Sequence, residues 1–350
     1  MDETIEAVKL TAYSKGAGCG CKISPAILKD ILRTSEEFPA DPRLLVGNES
    51  NDDASVLDLG NGECLISTTD FFMPVVDDAY TFGKIAAANS LSDVYAMGGK
   101  PITALAILGW PVDKLSPELA QRVLEGARFV CRVAGITLAG GHSIESAEPI
   151  FGLAVNGLVK REQIKRNNTA QVGDKLYITK PIGMGVITTA AKRGVAKAEH
   201  IDACISYMIA LNKIGEALGN ISGVHALTDI TGFGLAGHLI EMCEGSHCSA
   251  DLEFDAIPML PFLNEYLDQF IYPDMSTKNF SFYSSRISTM NAKQLFTLCD
   301  PQTSGGLLVA VSSQSETEYL EHVHSFGLQG IADKCVGVIT EKTTQVINLK

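Results

Sequence analysis

Long apolar segments and positive charge are both scarce in this chain of 350 residues. The longest apolar run, ITALAILGW, has nine residues, far short of the roughly 20 that a membrane-spanning helix needs. Lysine and arginine number 28 against 41 aspartates and glutamates, which gives a net charge of −13. Such a surface would repel a nucleic-acid backbone. We therefore expect no membrane association and no nucleic-acid partner.

Cysteines in the spacing of a disulfide scaffold or a zinc site are also missing. The chain has nine cysteines, an odd number, and the closest pair is Cys19 and Cys21. No second pair at ligand spacing completes a four-ligand zinc site. The remaining cysteines lie mostly in apolar contexts typical of small core residues. With no secretory signal segment at the start of the sequence, a reducing cytoplasm is the expected compartment.

Strand-like and helix-like segments alternate along most of the chain. ECLISTTDFF and HALTD are typical of strands, and a long helix is expected over residues 81–97, closed by two glycines. This alternation predicts a mixed α/β fold in two halves, separated by the polar stretch REQIKRNNTAQVGDK. We predict a Gly-rich segment with a short helix over residues 1–45, an N-terminal α/β domain over 46–160 and a C-terminal α/β domain over 170–350.

Aspartates follow predicted strands and lie near small residues. Asn89 and Asp93 are one turn apart on the long predicted helix, so their side chains share a face. Carboxylates from separated segments suit Mg²⁺, which prefers oxygen ligands. Any one of these residues could instead be a helix cap or a turn residue, so the interpretation depends on the whole set. The set consists of Asp52 and Asp53 in GNESNDDAS, Asp70 in STTD, Asp93, and Asp229 in HALTD.

Four glycine-rich stretches are predicted to be loops: AGGHS, KPIGMGV, DITGFGLAGH and DPQTSGG. Glycine lets backbone N–H groups approach a phosphate closely, but none of the four has the P-loop pattern, and tight turns explain each one equally well. His142 and His238 lie in two of them, where a buried, hydrogen-bonded histidine is the commoner case.

The stretch SKGAGCGCKIS, residues 14–24, places Cys19 and Cys21 among glycines, with Lys15 and Lys22 at its edges. Nearby cations favour the thiolate, which is the reactive form of cysteine. The glycines predict a segment that moves, such as a lid over a site. A tail with incidental thiols is the other interpretation.

These motifs together resemble the selenophosphate synthetase family, in order and from about residue 10 to the C-terminus. SDVYAMGG, TDITGFG and DPQTSGG are shared with the wider aminoimidazole ribonucleotide synthetase superfamily, whereas the Cys-Gly-Cys-Lys segment distinguishes this family within it. The motifs are GAGCGCK, NDDASV, STTDFF, ANSLSDVYAMGGKP, LAGGHSI, LTDITGFGLAGH and DPQTSGGLL.

The resemblance implies an aminoimidazole ribonucleotide synthetase-like fold of two α/β domains, with the N-terminal sheets joining across a homodimer. It implies the reaction ATP + selenide + water → selenophosphate + AMP + phosphate, whose product donates selenium for selenocysteine and selenouridine synthesis. Several Mg²⁺ ions and a monovalent cation such as K⁺ are implied as cofactors. A selenide-delivering protein is an implied partner.

The resemblance also assigns roles to single residues. Cys19 is the catalytic thiol and Lys22 the catalytic cation, with Cys21 and Asn89 in supporting roles. The metal ligands are Asp53, Asp93 and Asp229. The ATP contacts are Lys22, Ser50, Asn51, Asp52, Asp70 and Asp93, together with Gly141, His142 and Ser143 from the neighbouring subunit.

Other interpretations stay open at this point. Cys19 could bond selenium covalently or only orient it. A superfamily relative that uses ATP to activate an amide or carbamoyl oxygen would use the same aspartates. The cysteine-containing residues 14–24, hereafter the thiol segment, would then have no role. A non-catalytic selenium or metal carrier would use the cysteine pair without consuming ATP.

Overall fold

Two six-stranded sheets with helices packed against them form the described part of the molecule. The computed structural model describes residues 8–14, 16, 18, 25–31, 41–47 and 52–350. The predicted mixed α/β class is confirmed by this arrangement. In the described part of the chain, no helix combines the length and the hydrophobicity that crossing a bilayer requires.

The N-terminal sheet is antiparallel except at one edge, where β4 (Lys100–Trp110) and β5 (Thr137–Glu145) run parallel. A parallel pair needs a crossover connection, and helix α3 (Pro117–Ala134) supplies it. A further short helix, α1 (Pro25–Ile31), precedes the sheet in the chain. In spatial order the strands are β1 (Leu44–Val46), β2 (Ser55–Asp58), β3 (Glu63–Phe72), β6 (Ile150–Lys160), β4 (Lys100–Trp110) and β5 (Thr137–Glu145).

Helix α2 (Ala79–Ala96) is the long helix that the sequence predicted, and it begins two residues earlier than expected. Asp78 caps it by accepting a hydrogen bond from the Thr81 N–H at 2.7 Å. Its residues are buried almost without exception, which is typical of a helix covered on all sides. Gly83 lets α3 approach, since a Cβ there would lie 1.9 Å from the Val123 carbonyl oxygen.

In the C-terminal sheet, β10 (Leu307–Val311) lies next to the edge strand, and all five of its residues are buried, as expected for a strand covered on both faces. In spatial order the strands are β12 (Ile347–Leu349), β9 (Ser249–Leu252), β11 (Gly337–Thr340), β7 (Lys175–Ile178), β10 (Leu307–Val311) and β8 (Val224–Asp229). The helices of this half are α4 (Met184–Lys192), α5 (Ala198–Ile209), α6 (Ile214–Leu218), α7 (Gly234–Gly245), α8 (Leu263–Leu267), α9 (Asp274–Tyr283), α10 (Ala292–Leu298) and α11 (Glu316–Ser325).

The largest of the three buried apolar clusters in the described residues includes side chains from both halves. Phe82 and Leu91 of α2 belong to the same buried cluster as Met184 of α4 and Met208 of α5. Helix α2 is therefore the element that joins the N-terminal sheet to the C-terminal half. The domain boundaries at residues 45, 160 and 170 remain predictions, because this shared core does not divide at any of them.

The cysteines expected in the core are buried, except for Cys335, which is half-buried. Cys248 is buried as well, and the described cysteines are free thiols. The sequence interpretation of these residues as small apolar core side chains is thus confirmed for Cys64, Cys131, Cys204, Cys243 and Cys299.

Candidate active site

The structure brings together three aspartates that lie far apart in the sequence. Asp53 precedes β2, Asp93 lies on α2 and Asp229 ends β8. Each offers a carboxylate oxygen, and these oxygens all lie within 4.8 Å of one another. The cluster therefore takes two carboxylates from the N-terminal half and one from the C-terminal half, and it exists only when the two halves are docked.

Threonine hydroxyl groups orient two of these carboxylates. Thr228 Oγ1 donates a hydrogen bond to Asp53 Oδ1 at 2.9 Å, and Thr68 Oγ1 donates to Asp93 Oδ2 at 2.5 Å. Oδ2 of Asp53 is buried and has no hydrogen-bond partner among the described residues. A buried carboxylate oxygen without a partner is costly, and a cation would satisfy it. The donor set is all oxygen, which suits a hard divalent ion.

Burial and crowding act together on Asp53. Desolvation is the main cause that raises the pKa of Asp53 well above its ordinary value, and the charges of Asp229, Asp52 and Asp93 raise it further, in that order. Like charges that converge in a buried site repel one another. A divalent cation in the cluster would supply the missing opposite charge.

Asp70 and Asn89 form a second part of the site, next to the cluster. Asn89 Nδ2 donates to Asp70 Oδ2 at 2.5 Å, while Asn89 Oδ1 accepts from the Ser304 N–H at 2.8 Å. The amide of Asn89 thus connects the end of β3 to the DPQTSGG loop. Ser304 has a φ of 52°, an uncommon conformation for a residue other than glycine, and its hydroxyl group is buried without a hydrogen-bond partner in the described structure.

Lys180 is a site residue that the sequence reasoning missed. Its Nζ donates to the Ala210 carbonyl at 2.7 Å and to the Ser304 carbonyl at 2.8 Å. Burial lowers the pKa of Lys180 to about 7, and the nearby Asp229 charge opposes that shift. KPIGMGV was noticed for its glycines, but a lysine at the end of a buried strand was the stronger signal, because a buried ammonium group needs fixed partners.

Asp52 lies against the connection between the two halves. Its Oδ1 accepts from the Asn167 N–H at 3.1 Å, and burial raises the pKa of Asp52 to about 6, against the opposing effects of that hydrogen bond and of Arg166. One carboxylate oxygen of Asp52 is therefore bound to the connecting segment, while Oδ2 is buried without a hydrogen-bond partner among the described residues. The nucleotide contact predicted for Asp52 is through its backbone.

The glycine-loop interpretation of LAGGHS is wrong. Gly141, His142 and Ser143 lie in strand β5, at an edge of the N-terminal sheet, and all three are exposed. Pairing with β4 fixes them in strand geometry despite the two glycines. Across the sheet, His142 pairs with Ile107, Ile107 with Gly152, and Gly152 with Phe71. Asp70 is next to Phe71 in β3, so its side chain points to the opposite face of the sheet.

Gly141, His142 and Ser143 are therefore not brought to the aspartate cluster of their own chain. Three strand spacings separate β5 from β3, which amounts to about 14 Å. The expectation that His142 is buried is wrong, because it is exposed. The same expectation for His238 is confirmed: its Nε2 accepts from the Thr231 N–H at 3.0 Å inside the protein.

Several predicted site residues lie outside the described residues. They are Cys19, Cys21, Lys22, Ser50 and Asn51. Gly18, which directly precedes Cys19 in the sequence, is described, and its N–H donates to the Met73 carbonyl at 3.1 Å.

Comparison with known proteins identifies the family. The family model "AIR synthase related protein, N-terminal domain" matches residues 51–159, and the model of the C-terminal domain matches residues 171–350. The selenide, water dikinase of Aeromonas hydrophila is 56% identical over 324 residues, which cover 93% of this chain and 94% of that protein. The chain belongs to the selenide, water dikinase family. The enzyme of that name from Photobacterium profundum is also 56% identical, over 94% of this chain and 96% of that protein.

Solved structures of proteins with other names have the same fold. Thiamine-monophosphate kinase from Stenotrophomonas maltophilia matches with a TM-score of 0.65 at 19% identity, covering 88% of this chain and 92% of that one. Hydrogenase maturation protein HypE in complex with ATP matches with a TM-score of 0.60 at 18% identity, covering 86% and 82%. At these identities the likeness concerns the fold alone, and it confirms the predicted two-domain architecture.

Use of ATP by a kinase of the selenide, water dikinase family implies a divalent cation such as Mg²⁺. The cluster of Asp53, Asp93 and Asp229 has the oxygen donors and the unbalanced charge that such an ion requires. The residues present therefore fit the cofactor.

Proposed function

We propose that this protein makes selenophosphate by the reaction ATP + selenide + water → selenophosphate + AMP + phosphate. The observation that carries the proposal is the aspartate cluster within 4.8 Å, in a chain more than half identical to selenide, water dikinases along nearly its full length. An acidic protein can accept a polyanion such as ATP only where cations lie between carboxylates and phosphates.

In this proposal Asp53, Asp93 and Asp229 hold Mg²⁺, with Asp93 also close to the nucleotide. The bound ion would neutralise phosphate charge and orient the transferred group. Because ATP carries roughly four negative charges, the proposal includes several Mg²⁺ ions. The family resemblance adds a monovalent cation such as K⁺. Asp70, oriented by Asn89, and the backbone at Ser50, Asn51 and Asp52 contact the nucleotide.

Cys19 and Lys22 complete the proposed chemistry. Lys22 stabilises charge on the transferred phosphoryl group, and Cys19 holds or orients selenium for attack, while Cys21 has a lesser role. The described residue next to Cys19 supports this assignment. A Cβ on Gly18 would lie 2.2 Å from Thr303 Oγ1, so Gly18 contacts the loop whose next residue, Ser304, binds Asn89.

A homodimer is part of the proposal because the N-terminal sheet has an open edge and an apolar face. Phe71, Leu105 and Ile144 lie on β3, β4 and β5 and are 48%, 44% and 61% exposed. Apolar side chains on one open sheet commonly mark an interface. From the family resemblance, the proposal includes contacts of Gly141, His142 and Ser143 of the second copy with the neighbouring ATP. A selenide-delivering protein and a cytoplasmic location remain predictions.

The experiment that tests this function is nucleotide chromatography of ATP reactions with and without selenide, under anaerobic reducing conditions. We expect AMP to form at a rate that depends on selenide, and we expect deletion of residues 1–23 to abolish that dependence. ATP consumption that survives the truncation and yields ADP would indicate an amide-activating relative instead, because phosphoryl transfer to an amide oxygen leaves ADP. Selenide bound stoichiometrically without ATP consumption would indicate a carrier.

A further inference from the structure

The described part of the N-terminal segment, residues 8–14, 16 and 18, is attached to both halves of the molecule. Leu10 is completely buried. Thr11 donates twice to Asp77 Oδ1, from its N–H at 3.1 Å and from its hydroxyl group at 2.5 Å. Asp77 lies just before α2, so this first attachment is to the N-terminal half.

The second attachment comes from Lys192, the last residue of α4 in the C-terminal half. Its Nζ donates to the Ser14 carbonyl at 3.0 Å and to the Gly16 carbonyl at 3.3 Å. An ammonium group that binds two carbonyls forms charge-assisted hydrogen bonds, which are stronger than neutral ones. One side chain therefore fixes two points of a glycine-rich stretch.

Helix α4 is itself fixed to the loop beside the site. The Gly185 N–H donates to Asp300 Oδ2 at 2.9 Å, and the Gly183 and Met184 N–H groups each donate to Gln302 Oε1 at 3.1 Å. The first turn of α4 is thus bound to the DPQTSGG loop, and Lys192 stands at the other end of the same helix. The position of Lys192 is set relative to the site by a rigid element.

The segment reaches the site at Gly18. Its φ of 52° and the close approach to Thr303 require glycine. The hydrogen bonds that Asp77 and Lys192 make with residues 11–16 adjoin a cavity of about 240 Å³. The cavity is lined by Thr11, Asp77, Lys192 and apolar side chains of α4 and α5, so the packing around these hydrogen bonds is incomplete. Loss of Lys192 would therefore not be compensated by neighbouring contacts.

We propose that Lys192 and Asp77 are positioning residues for the reaction, because they fix the residues that directly precede Cys19 in the sequence. This inference rests on the proposed function, in which Cys19 and Lys22 act on selenide and the phosphoryl group. Catalysis that depends on placement is sensitive to small shifts, and a displacement of about 1 Å can cost roughly 100-fold in rate. Lys192 and Asp77 touch neither substrate in this account.

The test compares Lys192→Met, which removes the donor, with Lys192→Arg, which retains a cation able to bind two carbonyls. Arg193→Met is the matched control, because this neighbouring cation binds the Tyr272 carbonyl instead. Hydrogen exchange of peptides covering residues 8–18 reports on the attachment without any activity. Selenide kinetics and the Kd for Mg²⁺-ATP are measured on the same proteins.

For Lys192→Met we expect faster exchange in residues 8–18, a fall of about 10- to 100-fold in kcat/KM for selenide, and an unchanged Kd for Mg²⁺-ATP. Lys192→Arg should restore most of the rate, and Asp77→Ala should act in the same direction as Lys192→Met. Unchanged exchange would overturn the inference, and so would faster exchange with unchanged selenide kinetics. A wild type without selenide-dependent turnover would instead overturn the proposed function, and the exchange result would show separately whether the attachment exists.

Discussion

Asp53 is the residue on which the electrostatics of the site depends most. One of its oxygens is oriented by Thr228, and the other is buried without a hydrogen-bond partner in the described structure. Burial and three neighbouring carboxylates raise its pKa. In the absence of a cation the cluster therefore opposes folding, and in the presence of one it contributes to stability.

We predict opposite effects of Asp53→Asn with and without metal. In a chelator, the variant should be more stable than the wild type by about 1 kcal/mol or more, because one buried like charge is gone. With Mg²⁺ added, the wild type should gain stability and the variant should gain much less. Urea unfolding in both conditions measures this, with Asp268→Asn as the control on an exposed carboxylate. An equal response of both proteins to Mg²⁺ would contradict the role of Asp53.

Some residues of the site are predictable from the sequence, and others are not. The residue pattern predicted a wider set of aspartates as a possible magnesium site, and the family resemblance selected Asp53, Asp93 and Asp229 from it. The position of Lys180 just after a buried strand was a signal, but its partners could not be predicted, since they are carbonyl groups of residues 30 and 124 positions away. A sequence alone does not show which loops a buried lysine will meet.

At the level of elements, the helices and strands with strong patterns were predictable, but their surroundings were not. Helix α2 begins two residues before its expected start, and β5 continues through AGGHS, where a loop is expected, because two adjacent glycines are unfavourable in a strand unless pairing enforces it. Helices α8, α9 and α10 are not among the elements predicted from the sequence. These short helices depend on tertiary packing for their stability.

Helix α4 leads to a prediction about pH. Asp300 Oδ2 accepts from the first turn of this helix at Gly185, while Oδ1 is buried without a hydrogen-bond partner among the described residues. Burial raises the pKa of Asp300 to about 8, and an unfolded aspartate titrates near about 3.9. Between these values the native state binds the extra proton, so the contribution of Asp300 to wild-type stability decreases as the pH rises.

Asp300→Asn removes this titration because its amide is always neutral. We expect the stability of the variant relative to the wild type to improve from pH 5 to pH 8, by up to about 3 kcal/mol. Urea unfolding across that range in a chelator is the measurement. A stability difference that stays constant with pH would show that Asp300 has no raised pKa.

At the level of the whole molecule, the site forms only because the two halves pack against each other. Two aspartates of the cluster come from one half and the third from the other, and α2 shares its core with both. The N-terminal sheet also has an exposed apolar face, formed by Phe71, Leu105 and Ile144. The proposed homodimer would cover this face. The sequence motifs indicated both properties through the family resemblance, whereas composition and periodicity indicated neither.

We predict that the open face of the N-terminal sheet holds two copies together. Leu105→Lys combined with Ile144→Lys should lower the mass in solution from that of a dimer to that of a single chain, because lysine cannot be buried cheaply in an apolar interface. Light scattering coupled to gel filtration measures the mass. Val195→Lys, at an equally exposed apolar position of the C-terminal half, is the control. An unchanged mass in the double variant would contradict the proposed interface.

The central claim is that the aspartate cluster and the thiol segment together make selenophosphate. Phosphorus NMR of the protein with ATP, Mg²⁺ and selenide under anaerobic reducing conditions tests it most directly, run beside Asp53→Asn and Cys19→Ser. We predict a new phosphorus resonance coupled to selenium, with AMP and phosphate rising together in the wild type and not in either variant. AMP and phosphate without that resonance would contradict the claim, because ATP would then be consumed for a different acceptor.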